Sequence, residues 1–335
     1  MPPGPVVEDI ARLRRRIEAS GLPAKASDRN LLVATWNIRT FGGIHPSWDE
    51  NPGSPKRNLR GLAILAEIVR RIDVIAIQEV KRDLDGLHRL LEWLGPEWGV
   101  TVTDVTLGAE GNAERLAYVF DRRRVQPSGL AGEIVLPPLG PGRPADQFDR
   151  TPYAVGFTAG GEHFVLVTAH IRYGKPQERV PEISALAVHV AKEMRDRAKE
   201  SHGGEDNLII LGDFNINKRG NHPTFRAFVS TGLWVPPQLL GVKSVAGSEA
   251  KHYDQIAWFR PEFNLPYTGR ADAIDFARAV YPELSLRDMS YRVSDHLPLW
   301  AEFSLDRSDQ QMAPALGLHP DRPDPLATVP DNPPV

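Results

Sequence analysis

The sequence predicts an α/β protein in which two mixed β-sheets pack face to face with helices on the outside. Three observations carry this. Short apolar runs that read as buried strands are interspersed with segments of helical period. Several strands are joined by short hairpin-like turns, whereas a purely parallel sheet needs a long crossover at every connection. The two halves of the chain also run through a similar order of elements, without a repeat of constant period. The 335 residues, 41% hydrophobic and 25% charged, are enough for a sizeable globular core.

Residues 1–29 read as an N-terminal extension. Ile10, Leu13 and Ile17 recur at helical spacing among Arg14, Arg15 and Arg16, which predicts a short amphipathic helix, either packed on the domain or free to meet a partner. Leu31–Trp36 is a strand, and the following loop, 39–57, is rich in Gly, Pro and Asn. Leu59 to Val69 repeats at helical spacing. Asp73–Gln78 is a continuous apolar run, the mark of a buried strand. Leu84 to Leu94 forms another helix, stopped by Gly95–Pro96. Trp98–Val105 alternates as a half-buried strand, and Leu116–Phe120 is a strand running into Asp121.

Residues 126–149 read as loop around one short strand. Tyr153–Phe157 and Phe164–Ala169 form a strand pair turned at Gly160–Gly161. Gln177–Lys199 is a long helical pattern, Asn207–Leu211 a buried strand and Thr224–Val229 a short helix. Tyr253–Phe259 and Leu299–Phe303 are the last strands. From residue 306 the chain is rich in Pro and Asp and lacks periodicity, so residues 306–335 are expected to be a disordered or surface-wrapped tail. The domain itself is expected over residues 30–305.

Composition removes several functions. A net charge of −3 excludes a broadly basic nucleic-acid coat but allows a local basic groove. The absence of cysteine excludes disulfides, thiolate nucleophiles and zinc–thiolate sites. No apolar stretch reaches the roughly 20 residues that span a bilayer, and the N-terminus lacks the apolar centre of a secretory signal. A cytoplasmic location without a membrane partner is therefore expected.

The chemistry lies at strand ends. Six short segments, Thr35–Asn37 (TWN), Gln78–Glu79 (QE), Thr168–His170 (TAH), Gly212–Asn215 (GDFN), Tyr253–Asp254 (YD) and Ser294–His296 (SDH), mostly close an apolar run, where a sheet can aim several polar groups at one point. An ionised Glu79 at the mouth of a buried strand needs a cation, either a metal or Lys81 or Arg82. Asp213 and Asn215, two apart, point the same way from an extended turn and suit a hard cation or the water beside it; an Asx turn is the alternative. Asn37 ends its strand either as a capping amide or as a site residue. His170 and His296 are candidate proton-transfer groups if each meets a carboxylate. Glu114 and Asp254 are the candidate partners, and the sequence leaves the pairing open. Arg115 and Arg150 are forked phosphate ligands or surface ion pairs.

TWNIRTFG, DVIAIQEV, ERLAYVFD, RTPYAVGF, TAHI, GDFNI, YDQI and SDHLPLWAEF together resemble the endonuclease/exonuclease/phosphatase superfamily, in its branch similar to deoxyribonuclease I. The resemblance covers roughly residues 30–305. It implies a four-layer α/β sandwich and a divalent-metal-dependent phosphodiesterase acting on DNA. Glu79 would be a principal Mg²⁺ ligand (with Mn²⁺ or Ca²⁺ as alternatives), supported by Asn37 and Asp295. Asp213 and Asn215 would orient the attacking water and a phosphate oxygen. His170 and His296 would be the acid/base pair that binds the scissile phosphate, supported by Glu114 and Asp254, and Arg150 and Arg115 would contact phosphate. Arg39, Lys56, Arg57, Lys81, Arg82, Arg172 and Tyr173 are candidate DNA contacts, and a monomer is expected. The disulfides of the secreted relative are missing, so no cysteine-stapled loop is expected. A phosphomonoesterase acting on an inositol phosphate or lipid headgroup, or a non-catalytic phosphate-binding module, remain alternatives.

Overall fold

The computed structural model describes residues 1–49, 53–106, 113–200, 207–247, 249–260, 263–308 and 312–317, with the backbone alone over 193–200. In chain order the elements are α1 (Gly4–Ala19), β1 (Asn30–Phe41), α2 (Leu59–Val69), β2 (Val74–Lys81), α3 (Asp85–Leu94), β3 (Trp98–Val102), β4 (Glu114–Asp121), β5 (Gln126–Glu133), β6 (Tyr153–Ala159), β7 (Glu162–His170), α4 (Pro176–Glu200), β8 (Leu208–Asp213), α5 (Pro223–Val229), β9 (Leu233–Trp234), α6 (Pro237–Leu240), β10 (Asp254–Phe259), β11 (Tyr267–Ala273), α7 (Leu286–Ser290) and β12 (Leu299–Ser304).

Two six-stranded sheets result, ordered β11-β12-β1-β2-β4-β3 and β5-β6-β7-β8-β10-β9. Each contains one parallel pair, β1 with β2 and β7 with β8, and its other pairs are antiparallel. The parallel pairs are those joined through a helix, α2 and α4, because a parallel connection must return the chain to the strand's starting end. The sheets can therefore be laid on one another strand for strand: β1 on β7, β2 on β8, β4 on β10. This is the common order of elements noticed in the two halves of the sequence.

The inner faces pack through β1 against β8 and β10 and through β2 against β7 and β8. Fully buried Tyr118, Phe157, Phe164, Trp258 and Phe303 fill the space between them, with edge-on and tilted ring contacts such as Tyr118–Phe157 at 5.6 Å and Trp258–Phe303 at 5.3 Å. Helices α1 to α3 pack in succession against one another, and α4 packs on α5. The predicted class, two mixed sheets flanked by helices, is the observed one.

The structure differs from the sequence reading at several elements. β1 runs five residues beyond Trp36, and the sequence reading assigns no element to the segments of β9, β11, α6 and α7. The N-terminal helix is packed rather than free: Leu13 and Ile17 join the core, and buried Asp9 meets Arg60 at 2.8 Å. In the tail, Arg307 pairs with Glu162 at 2.6 Å and Ala313 is fully buried in a short 3₁₀ turn, Ala313–Leu316. The rest of the expected tail, 309–311 and 318–335, lies outside the described residues.

Candidate catalytic site

The parallel strands β1, β2, β7 and β8 end at one pole of the sandwich, where the antiparallel β4 and β10 begin. Register then sets residues side by side. Lys81 pairs with Glu114 across β2 and β4, His170 with Asp213 across β7 and β8, and Asp213 with Asp254 across β8 and β10. The glycine of GDFN makes this row possible. Gly212 has φ +147°, and a Cβ there would sit 2.1 Å from the Ala169 carbonyl oxygen, so only glycine lets β8 press against β7 beside His170. Glu79 and Asn215 both turn with positive φ, 61° and 51°, a conformation uncommon for residues with a side chain.

Asp213 is the focus of the site. Its Oδ2 accepts a hydrogen bond from Asn37 Nδ2 at 3.0 Å and lies 3.6 Å from His170 Nε2 and 3.8 Å from His296 Nε2. Its Oδ1 accepts from the Asn215 backbone N–H at 2.9 Å. Burial opposes ionisation of Asp213, yet the charges of His296 and His170 with these hydrogen bonds hold its carboxyl below the usual range.

Each histidine is backed by a carboxylate. His296 Nδ1 and Asp254 Oδ2 are hydrogen-bonded at 2.8 Å and buried. Burial alone would lower the basicity of His296, but Asp254 and then Asp213 outweigh it and push it up to about 10. Burial raises the Asp254 carboxyl against the pull of His296. His170 Nδ1 lies 3.1 Å from Glu114 Oε2, at ion-pair distance but without good hydrogen-bond alignment. Glu114 also accepts from Arg150 Nε at 2.7 Å and from Lys81 Nζ at 2.9 Å. Burial raises its carboxyl, but His170, Arg150 and Lys81 outweigh burial and hold it down at about 2.

The residues that could hold a metal lie beside this set. Glu79 Oε1 accepts from Asn37 Nδ2 at 2.9 Å and Oε2 from the Thr40 N–H at 2.8 Å, and no described cation forms an ion pair with it. Asn37 Oδ1 is buried with no hydrogen-bond partner among the described residues. A half-buried carboxylate without a counterion, next to an orphaned amide oxygen, fits a hard cation that takes few protein ligands and keeps several waters. Asp295 does not join them; its carboxylate turns to Arg39 at 3.4 Å. Among the described residues one acidic and histidine cluster has the spacing of a cation cage, Asp213, Asp254 and His296 within 4.8 Å of one another. Within that cluster Asp254 and His296 are hydrogen-bonded to each other at 2.8 Å.

Residues 34–296 match the family model described as the endonuclease/exonuclease/phosphatase family. The chain belongs to this family. Among curated relatives, deoxyribonuclease gamma of Rattus norvegicus is 27% identical over 295 residues, covering 83% of this chain and 86% of the relative. Deoxyribonuclease-1 of Bos taurus is 26% identical over 284 residues, covering 81% and 91%. These similarities place the chain in the deoxyribonuclease I-like branch. Solved structures share the fold: a family protein from Bacteroides thetaiotaomicron has a TM-score of 0.54 at 19% identity, covering 83% and 98%. A mannosyl-6-phosphatase from the same organism has 0.53 at 19%, covering 82% and 99%.

Of the family positions read from the sequence, Asn37, Glu79, Glu114, Arg150, His170, Asp213, Asp254 and His296 are joined by direct contacts. Asn215 sits next to them, but its Nδ2 donates to the Ile171 carbonyl at 2.8 Å, so only its backbone meets Asp213. Arg115 points away, with Nη1 on the Thr103 carbonyl at 2.7 Å. Arg172 is tied to Asp149 and Glu182, while Arg82 and Tyr173 stand exposed. Four supporting residues, Thr35, Gln78, Thr168 and Ser294, had no assigned role. Gln78 Nε2 donates to Thr35 Oγ1 at 3.1 Å and Thr168 Oγ1 at 2.9 Å, tying both sheets together beneath the site. Ser294 Oγ donates to the Asn37 carbonyl at 2.7 Å and accepts from the His296 N–H at 3.0 Å. Thr35, Gln78, Thr168 and Ser294 are the first letters of TWN, QE, TAH and SDH, the signal from which they could have been found.

Across the membrane question, no described helix is long and apolar enough to cross a bilayer.

Proposed function

We propose that the chain is a divalent-metal-dependent phosphodiesterase and that DNA is its substrate, cut internally as by an endonuclease. The observation that supports it most is the convergence of two carboxylate-backed histidines on Asp213 Oδ2 at 3.6 and 3.8 Å, beside a Glu79 that forms no ion pair with a described residue. A phosphodiester carries a negative charge and resists hydroxide. Its hydrolysis needs that charge offset, a water oriented in line and a leaving oxygen given a proton.

His296 holds its proton through neutral pH and is suited to bind the phosphate and donate to the leaving oxygen. Asp213 and His170 lie where a water opposite that oxygen can be oriented and relieved of its proton. Arg150, anchored on Glu114 through Nε, keeps Nη1 buried and without a hydrogen-bond partner among the described residues, a donor suited to a phosphate oxygen. Glu79 and Asn37 would hold the metal, which supplies Lewis-acid stabilisation of the phosphate charge when bound.

Plasmid nicking with Mg²⁺, run beside hydrolysis of soluble phosphate monoesters, tests the reading. Nicking that chelation abolishes and that His170→Ala and His296→Ala each lower is the expected result. Monoester hydrolysis without nicking would replace the nuclease with a phosphatase, the activity of one fold neighbour.

A further inference from the structure

Glu79 reaches Asn37 through a break in the strand that carries it. From Ile77 to Val80 β2 advances three residues while its antiparallel neighbour β4 advances two, from Ala117 to Arg115. One extra residue therefore sits in β2 as a bulge at Gln78–Glu79. The register with β1 also shifts just after Gln78. Glu79 has φ 61°, a conformation that costs a residue with a side chain free energy and persists only where the surroundings fix it. In an unbroken strand Gln78 and Glu79 would face opposite ways. The bulge re-aims Glu79, so that its Oε1 accepts from Asn37 Nδ2 at 2.9 Å and its Oε2 from the Thr40 N–H at 2.8 Å.

The first residue of that bulge is tied to both sheets. Gln78 is fully buried, and its Nε2 donates to Thr35 Oγ1 on β1 at 3.1 Å and to Thr168 Oγ1 on β7 at 2.9 Å. Both threonines are fully buried as well. The three form a layer directly beneath the site: Thr35 lies two residues before Asn37 and Thr168 two before His170, each on the same face of its strand. Apolar side chains would fill this space at no cost in desolvated polar groups. A bridge of hydrogen bonds adds direction, which apolar contacts lack. It fixes how Gln78 is turned about the strand, and with it the backbone that leads into Glu79.

We propose that Gln78 is a positioning residue: anchored on Thr35 and Thr168, it holds the β2 bulge in the register that aims the Glu79 carboxylate at Asn37. The threonines are its fixed points, one on each sheet, so the distance between the sheets is transmitted to the direction of Glu79. The inference deepens the reading of Glu79 as a metal-holding residue and rests on that reading for its catalytic meaning. The aim of Glu79 is a property of the metal-free protein and is measured without it.

The test reads that aim directly. In full-length protein labelled with ¹⁵N-threonine and kept in EDTA, the Thr40 amide proton is held downfield by its bond to Glu79 Oε2, and Glu79→Ala marks where the signal moves when the bond is lost. Gln78→Met, of similar length but unable to donate, should move the Thr40 amide upfield toward that mark. The triple variant Thr35→Val, Gln78→Met, Thr168→Val leaves none of the three positions with an unpaired polar group, so it should melt close to wild type. It should nevertheless keep the displaced Thr40 signal and, once EDTA is removed, bind Mn²⁺ about tenfold more weakly, as when a residue that orients a metal ligand is lost. A wild-type Thr40 signal in Gln78→Met would overturn the proposal, as would a triple variant with wild-type Thr40 signal and Mn²⁺ affinity. If Gln78→Met fails to fold, Thr168→Val, which alters no residue of the first sheet, decides by its own Thr40 shift. Mn²⁺ affinity that Glu79→Ala leaves unchanged would count against the metal reading of Glu79, while the Thr40 signal would still decide the role of Gln78.

Discussion

The two histidine–carboxylate pairs are built alike and charged differently. His170 ends β7 of the second sheet and takes Glu114 from β4 of the first. His296 enters β12 of the first sheet and takes Asp254 from β10 of the second. Glu114 and Asp254 begin equivalent strands, so each sheet supplies the carboxylate for the other sheet's histidine. Neither pair exists until the sheets have packed, which makes the site a product of the interface between them. The difference lies in what else touches the carboxylates. Glu114 divides its charge among His170, Arg150 and Lys81. Asp254 directs its charge to His296, which Asp213 flanks on the other side. On the proposed reading, the first pair is part of the cationic cluster that would face the phosphate, and the second is the proton donor.

The largest expected effect comes from breaking the pairs. His170→Ala and His296→Ala should each lower plasmid nicking by about 100- to 10,000-fold, the range of a general acid–base step. Next come the carboxylates, where the pairs should part. Asp254→Asn removes the main counterion of His296 and should lower nicking more than Glu114→Gln does. Glu114→Gln instead leaves Arg150 and Lys81 near a neutral amide, so it should lose about 1–3 kcal/mol of stability in denaturant unfolding. Equal activity losses in the two variants would show that the charge difference has no catalytic meaning.

pH sharpens the same contrast. His296 is raised from 6.5 to about 10 on folding. Its contribution to stability is full below 6.5 and is lost as pH rises through about 10. Glu114 is lowered from 4.5 to about 2, so its contribution is full above 4.5 and is lost as pH falls toward about 2. Thermal melting of His296→Gln should fall less than wild type between neutral and alkaline pH, and that of Glu114→Gln should fall less on acidification. The smallest effect is expected at Arg115. Its guanidinium is engaged with Thr103, so Arg115→Ala should leave nicking within about twofold of wild type, the range of a substitution away from such features.

Strand ends and residue types were legible in the sequence, because a continuous apolar run announces a buried strand and its last polar residue then stands out. Pairing was not legible, since each histidine's partner lies on the other sheet and nothing in local spacing joins His170 to Glu114. Two residues taken over from the family's pattern sit apart from the joined set. Arg115 follows Glu114 on a strand, where successive side chains face opposite ways, and it points to β3. Asp295 precedes His296 and likewise faces Arg39 in place of Glu79. β11 escaped notice because its sequence, YTGRADA, offers little apolar alternation and carries a glycine; β9 is two residues long. α1 was legible as amphipathic, but its burial depended on Arg60, a residue 51 positions from Asp9.

The central claim is that both pairs act on one phosphorus. A double-mutant cycle with His170→Ala, His296→Ala and the combined variant, read as plasmid nicking with Mg²⁺, tests it most directly. If the histidines serve one reacting phosphate, the combined variant should be about as slow as the slower single variant, as is seen for residues that act as a unit. Losses that multiply, or a single variant that nicks like wild type, would contradict the account.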